Sequence, residues 1–123
     1  MKTWSSHWKS STQPRKQRKY AYTAPLHIRR RFLSATLSKS LRKQYNLRSL
    51  PVRKGDKAKV MRGQFRGKDA EIVRVDSTRT RVFLNGLEVA KRDGSKKLVP
   101  VHPSNLMLTS LETSDKRRFE TKK

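Results

Sequence analysis

The first fifty residues carry thirteen Lys or Arg and no Asp or Glu; the first acid in the chain is Asp56. A folded surface ordinarily mixes both signs of charge. Fifty residues of a single sign repel one another when they condense, so this segment needs a polyanion to lie on. The rest of the chain is milder. Residues 51–110 hold fourteen basic and six acidic side chains, and residues 111–123 hold five and three. The formal net charge over 123 residues is +23. Nucleic acid is the commonest partner for so basic a stripe.

Hydrophobic residues make up 33% of the chain, below the roughly 45–50% of ordinary globular domains. One small domain is therefore expected, with part of the chain outside its core. Cysteine is absent, which excludes disulfides, thiol nucleophiles and cysteine-based zinc sites. No stretch approaches the roughly 20 apolar residues of a membrane-spanning helix. No apolar run of the secretory type lies near Met1, which argues against secretion. Organelle transit peptides share the Arg-rich, acid-poor composition. Against that reading, the basic stretch runs past Arg48 into the next element without a compositional break.

Residues 1–24 show no apolar period and are expected to be extended and disordered when alone. Arg15, Lys16, Arg18 and Lys19 are placed there to bind phosphates. Trp4, Trp8, Tyr20 and Tyr22 either stack on bases or, for the tryptophans, fold back onto the domain. Pro25 suits the first turn of a short helix carrying Ile28 and Phe32 on one face. Ser38 is a good N-cap for a second helix ending near Tyr45 and Asn46, with Leu37, Leu41 and Tyr45 as its stripe.

At Leu50-Pro51 the pattern becomes β. Strands are expected at 57–61, 71–76, 81–84, 87–90, 97–99 and 106–108. Asn85-Gly86 is a hairpin signal between two of them, and Asp93-Gly94 marks another turn. Pro100 points to a strand end or an edge, and Ser104 opens a single helical turn. Core candidates are Val60, Ile72, Val75, Val82, Leu84, Val89 and Leu106. Short strands joined by tight turns over about sixty residues predict a small barrel. The organisation is thus a basic arm with two short helices (1–50), a mainly β barrel (51–110) and a charged tail (111–123). The tail is expected to be frayed or a short surface helix.

The most specific stretch runs from Gly55 to Val75. Gly63 and Gly67 bracket Gln64, Phe65 and Arg66, and glycine permits positive φ at both ends of such a loop. With Arg62, Arg66 and Lys68 this makes a basic knuckle. Phe65 is either an RNA-stacking residue or a lid on the barrel; its place at a loop tip favours exposure. The stretch resembles a KOW motif, which begins an SH3-like barrel in ribosomal and transcription-elongation proteins. Gly67 matches the motif's glycine, whereas a second common glycine is Ala70 here.

The flanks extend the resemblance. Pro25-Leu26-His27-Ile28-Arg29-Arg30-Arg31, the run from Leu37 to Asp56, and His102-Pro103-Ser104-Asn105-Leu106 resemble the twenty-fourth family of universal large-subunit ribosomal proteins. The likeness is to its archaeal and eukaryotic form (number twenty-six in eukaryotic naming), over about residues 13–110. It implies a structural role in the large subunit, binding to the 5′ region of large-subunit rRNA early in assembly, and a place near the peptide tunnel exit in the cytoplasm. It implies neighbouring ribosomal proteins as partners, and at the tunnel exit nascent-chain targeting factors. The positions matching the family's RNA-contacting arm are His27, Ile28, Arg29, Arg30, Arg31, Lys39, Arg42, Lys43, Arg48, Arg53 and Lys54. Arg62, Gly63, Gln64, Phe65, Arg66, Gly67 and Lys68 match the KOW loop, and Tyr20 joins the basic arm. The other reading is a transcription-elongation RNA-binding module of KOW type.

Catalysis is not expected, since no paired carboxylates or nucleophile–base set is visible. His7, His27 and His102 are scattered without ligand spacing, so no metal is expected; nor is a cofactor, membrane insertion or self-association. Asp56, Asp69 and Asp76 fall at strand ends, where they cap turns, and His102 reads as a satisfied turn residue.

Overall fold

The computed structural model describes residues 4, 5, 7 and 11–119. Trp8, one of the expected stacking residues, lies outside them. No helix among the described residues is long and apolar enough to cross a membrane.

The first element among the described residues is a helix, within a segment expected to be extended. Helix α1 spans Pro14–Thr23. Pro at its first position has φ set for a helix and lacks only an N–H that has no helical partner anyway. Lys, Arg and Gln then supply good helical propensity. The helix stops at Ala24, whose ψ of 136° is extended, because Pro25 disfavours helical backbone in the residue before it. Its residues are exposed apart from half-buried Tyr20, so no apolar stripe announces it. Trp4 folds back on Tyr20, with ring centroids 5.0 Å apart and the indole Nε1 donating to the Tyr20 carbonyl at 3.3 Å.

Helix α2 (Leu26–Phe32) follows Pro25, its N-cap. Helix α3 (Lys39–Tyr45) has both expected caps. The Ser38 hydroxyl accepts from the Leu41 N–H, and Asn46 takes the left-handed conformation at φ 52°. Between these two helices lies a strand absent from the expectation, β1 (Ser34–Leu37). It pairs antiparallel with β2 (Ser49–Pro51) and parallel with the last strand. Its buried Ala35 and Leu37, with Leu33 and Leu50, belong to the main core. The second half of the basic segment is therefore woven into the sheet.

The remaining strands are β3 (Lys57–Val60), β4 (Asp69–Asp76), β5 (Arg81–Ala90), β6 (Lys96–Val101) and β7 (Leu106–Ser110). A 3₁₀ turn at Pro103–Asn105 joins the last two. The seven-stranded sheet has the order β2-β1-β7-β3-β4-β5-β6. It is mainly antiparallel and consistent with a small barrel. Pro100 sits on β6, an end strand, as its missing N–H requires. The core is Leu37, Val60, Ile72, Val82, Leu84, Leu87, Leu106 and Leu108 with smaller neighbours. Val75 packs against it from β4. Val89, expected inside, is 48% exposed on the outer reach of β5.

Asn85-Gly86 is a bend, not a hairpin. Strand β5 continues through it unbroken. A two-residue hairpin of the Asn-Gly kind needs positive φ at both residues; of this pair only Gly86 has it, at +74°. The result is a kink that shifts the β5–β6 register between Phe83 and Glu88. Leu84 and Leu87 both turn inward around it. The reversals are at 77–80 and at Asp93-Gly94. At the second, the Asp93 carboxylate accepts from the backbone and hydroxyl of Ser95.

Residues 111–119 of the charged tail are docked on the barrel. Leu111 and Phe119 pack on the core, and Phe119 stacks on Tyr45 at 4.6 Å. Arg118, after a short 3₁₀ turn at Lys116–Arg118, reaches Asp56. Asp56 does cap a turn, accepting from the Arg53 N–H at 2.9 Å. It is also fully buried and ion-paired to Arg118, which its place at a strand end does not reveal. Asp76 caps the 77–80 turn by accepting from Thr78 and Arg79.

Candidate nucleic-acid interface

The knuckle is a structured tip. Strands β3 and β4 pair as a hairpin, Lys59 opposite Asp69, and the loop between them is closed by its own backbone. The Gly67 N–H donates to the Val60 carbonyl at 2.8 Å, and the Val60 N–H to Lys68 at 2.9 Å. Gly63 and Gly67 take φ of +99° and +86° with open space around them. That backbone lets Arg62, Gln64, Arg66 and Lys68 all stand exposed. Phe65 differs from expectation: it is half-buried and packs on the core. Curling of the loop turns the ring under the tip, and Lys68 Nζ stands 5.1 Å from its centroid. The knuckle presents three exposed cations, of which Lys68 stands over an aromatic ring.

The arm divides into side chains facing outward and side chains tied to backbone. Arg15, Lys16, Arg18 and Lys19 are exposed along α1. Tyr20 is half-buried between Trp4 and Phe32, the latter at 6.3 Å. Tyr22, by contrast, is 79% exposed. His27, Arg30 and Arg31 are exposed on α2, while Arg29 Nε donates to Ala24 at 2.9 Å and its Nη2 to Tyr22, joining α1 to α2. On α3, Lys39 and Lys43 are exposed; Arg42 donates to the Leu37 carbonyl at 2.9 Å. Arg48 is exposed just before β2.

Arg53 and Lys54 lie in the turn before β3. Arg53 pairs with Asp115 at 2.8 Å. This hydrogen bond is the first cause that holds the Asp115 carboxyl below its ordinary value. Arg30, Arg53 and Lys54 converge on one cleft of ≈ 700 Å³, lined on its apolar side by Leu33, Val52, Val73 and Val75. Arg74 joins them from β4. It carries no motif signal, because only the bulge between Ile72 and Arg74 brings it round. The cleft lies at the opposite end of the β3–β4 hairpin from the knuckle.

The β5–β6 turn adds Lys91, Arg92, Lys96 and Lys97, all exposed around Asp93-Gly94, and their spacing about that turn signal is visible in the sequence. Among the described residues no three potential metal-ligating side chains come together. His102 Nδ1 meets the Ser104 hydroxyl at 2.7 Å and accepts from its N–H at 3.2 Å.

A model of the ribosomal protein family that comprises the eukaryotic L26 proteins and their archaeal counterparts of the twenty-fourth family matches residues 11–121. The chain belongs to this family. It is a structural constituent of the large ribosomal subunit, in a family that is non-enzymatic. Membership separates the ribosomal reading of the KOW-like stretch from the transcription-elongation one. The outward cations on α1, α2, α3 and the knuckle are each of the kind that meets phosphate. What the arrangement can do chemically is neutralise a polyanion's charge from a hydrogen-bonded tip and exposed helices.

Proposed function

We propose that this ribosomal protein binds the 5′ region of large-subunit rRNA during early assembly, near the peptide tunnel exit, and works there in the cytoplasm beside neighbouring ribosomal proteins. The observation that carries the reading is the division of its exposed cations. One set lies on helices that stand on the surface, and another on a closed tip built by two positive-φ glycines. Tips of this kind read RNA shape and backbone more than base identity. Affinity then comes from counterion release, with log K falling by roughly 0.7–0.9 per phosphate for each log unit of salt. Targeting factors at the tunnel exit belong to the same proposal as secondary partners of the exposed tail residues.

The experiment is a filter-binding competition. The full chain is bound to a fragment from the 5′ region of large-subunit rRNA and challenged with fragments of equal length from elsewhere in that rRNA. Preference for the 5′ fragment at physiological salt is expected. Equal competition by all fragments contradicts the regional assignment.

A further inference from the structure

The bulge in β4 sets two side chains together that a regular strand would send to opposite faces. Ile72 points into the core, and Val73 and Arg74 then both face outward. Bulges re-aim side chains in this way, often beside functional sites. Val73 is 40% exposed, an apolar side chain at the cleft floor with a guanidinium beside it. Arg74 is held by its own sheet, its guanidinium carbon 5.3 Å from the Phe83 ring centroid. Arg30 and Lys54 line the same cleft. The residues lining it among the described ones carry no carboxylate.

We propose that this cleft receives one unstacked nucleotide of RNA, with its base on Val52, Val73 and Val75 and its flanking phosphates on Arg30, Lys54 and Arg74. This deepens, and rests on, the reading of the protein as an RNA binder. A nucleotide has the two chemistries the cleft offers side by side: a flat apolar face and an adjoining anion. The volume falls within the roughly 300–1,000 Å³ range of small-ligand sites. RNA bound by sequence or structure is commonly held through nucleotides splayed out of the stack. An extended acidic peptide would satisfy the cations alone. It would leave the exposed Val73 in the cleft without an apolar partner.

The test uses the full chain on the 5′-region rRNA fragment, with zero-length ultraviolet crosslinking and sequencing of the adducted peptides. Two variants are compared, Val73→Glu and Arg74→Gln, each with its thermal melt recorded. Nucleotide adducts are expected on the peptides bearing Lys54 or Arg74. Both variants should lose these adducts and about tenfold in affinity, while adducts on the knuckle persist. Knuckle adducts without cleft adducts, or unchanged affinity in both variants, would overturn the cleft assignment and leave RNA binding intact. No adduct and no binding at all would overturn both. A protein segment crosslinked into the cleft of the assembled subunit would also overturn the nucleotide.

Discussion

Arg118 reaches Asp56 across 62 residues of sequence and donates to both carboxylate oxygens, Nη1 to Oδ1 at 2.8 Å and Nη2 to Oδ2 at 2.5 Å. Both side chains are almost wholly buried. Asp56 also accepts from the backbone of Arg53 and Glu112. One carboxylate thus joins the turn before β3 to the segment 112–118.

Removing one partner of a buried ion pair costs about 3–5 kcal/mol, because the other charge is left without compensation. Arg118→Met is expected to lower stability by that amount in urea unfolding. A loss below about 1 kcal/mol would show that the tail is a surface accessory.

Thr80 and Gly86 set opposite expectations for substitution. Thr80 holds φ at +54°, which is unfavourable for a β-branched residue. Thr80→Asn is expected to raise stability by about 1 kcal/mol, since Asn tolerates this region. Gly86 holds +74° with nothing within 4 Å of an added Cβ. Gly86→Ala should therefore cost about 1–2 kcal/mol, from the backbone alone. Thermal melts of the two variants check both signs.

His102 gives a pH dependence. Burial, and then the nearby Arg81 charge, hold its imidazole below the ordinary 6.5. As pH falls, the unfolded chain takes up this proton before the folded one. The contribution is full above about pH 6.5 and declines as pH drops toward the folded value. His102→Asn should flatten the fall in urea midpoint over that interval. An identical fall in the variant contradicts the assignment.

The knuckle prediction separates binding from folding. Arg66 is exposed beyond the closed backbone of the loop. Arg66→Ala should leave the thermal midpoint unchanged. It should weaken binding to all rRNA fragments alike and reduce the salt slope by about 1.

Local chemistry was legible in the sequence; long-range closure was not. Ser38 and Asn46 bound α3 because a cap is decided within a few residues. Asp93-Gly94 turns for the same reason. Strand β1 carries no signal of its own, because its four residues are extended by pairing with β2 and with β7, the latter some seventy positions on. Asp56 looked like a turn cap because its charge partner is equally remote. Asn85-Gly86 carries a true positive φ, but the sheet uses it to bend one strand. Helix α1 lacks a buried stripe, so periodicity had nothing to find. Among the site residues, the cations of the arm and knuckle could be named from charge density alone. Arg74 could not, because a bulge brought it to the cleft. Arg29, Arg42 and Arg53 each hold the fold through a hydrogen bond or ion pair that their sequence neighbours do not suggest.

The central claim is that the exposed cations of α1 grip rRNA phosphates independently of the barrel. Replacing Arg15, Lys16, Arg18 and Lys19 together by Gln leaves the core untouched, since all four are exposed. The direct measurement is the slope of log K against log salt for the 5′-region rRNA fragment, in the full chain and in this variant. The slope should flatten by roughly 0.7–0.9 for each phosphate these side chains neutralise, up to about 3 in all. An unchanged slope would contradict the account.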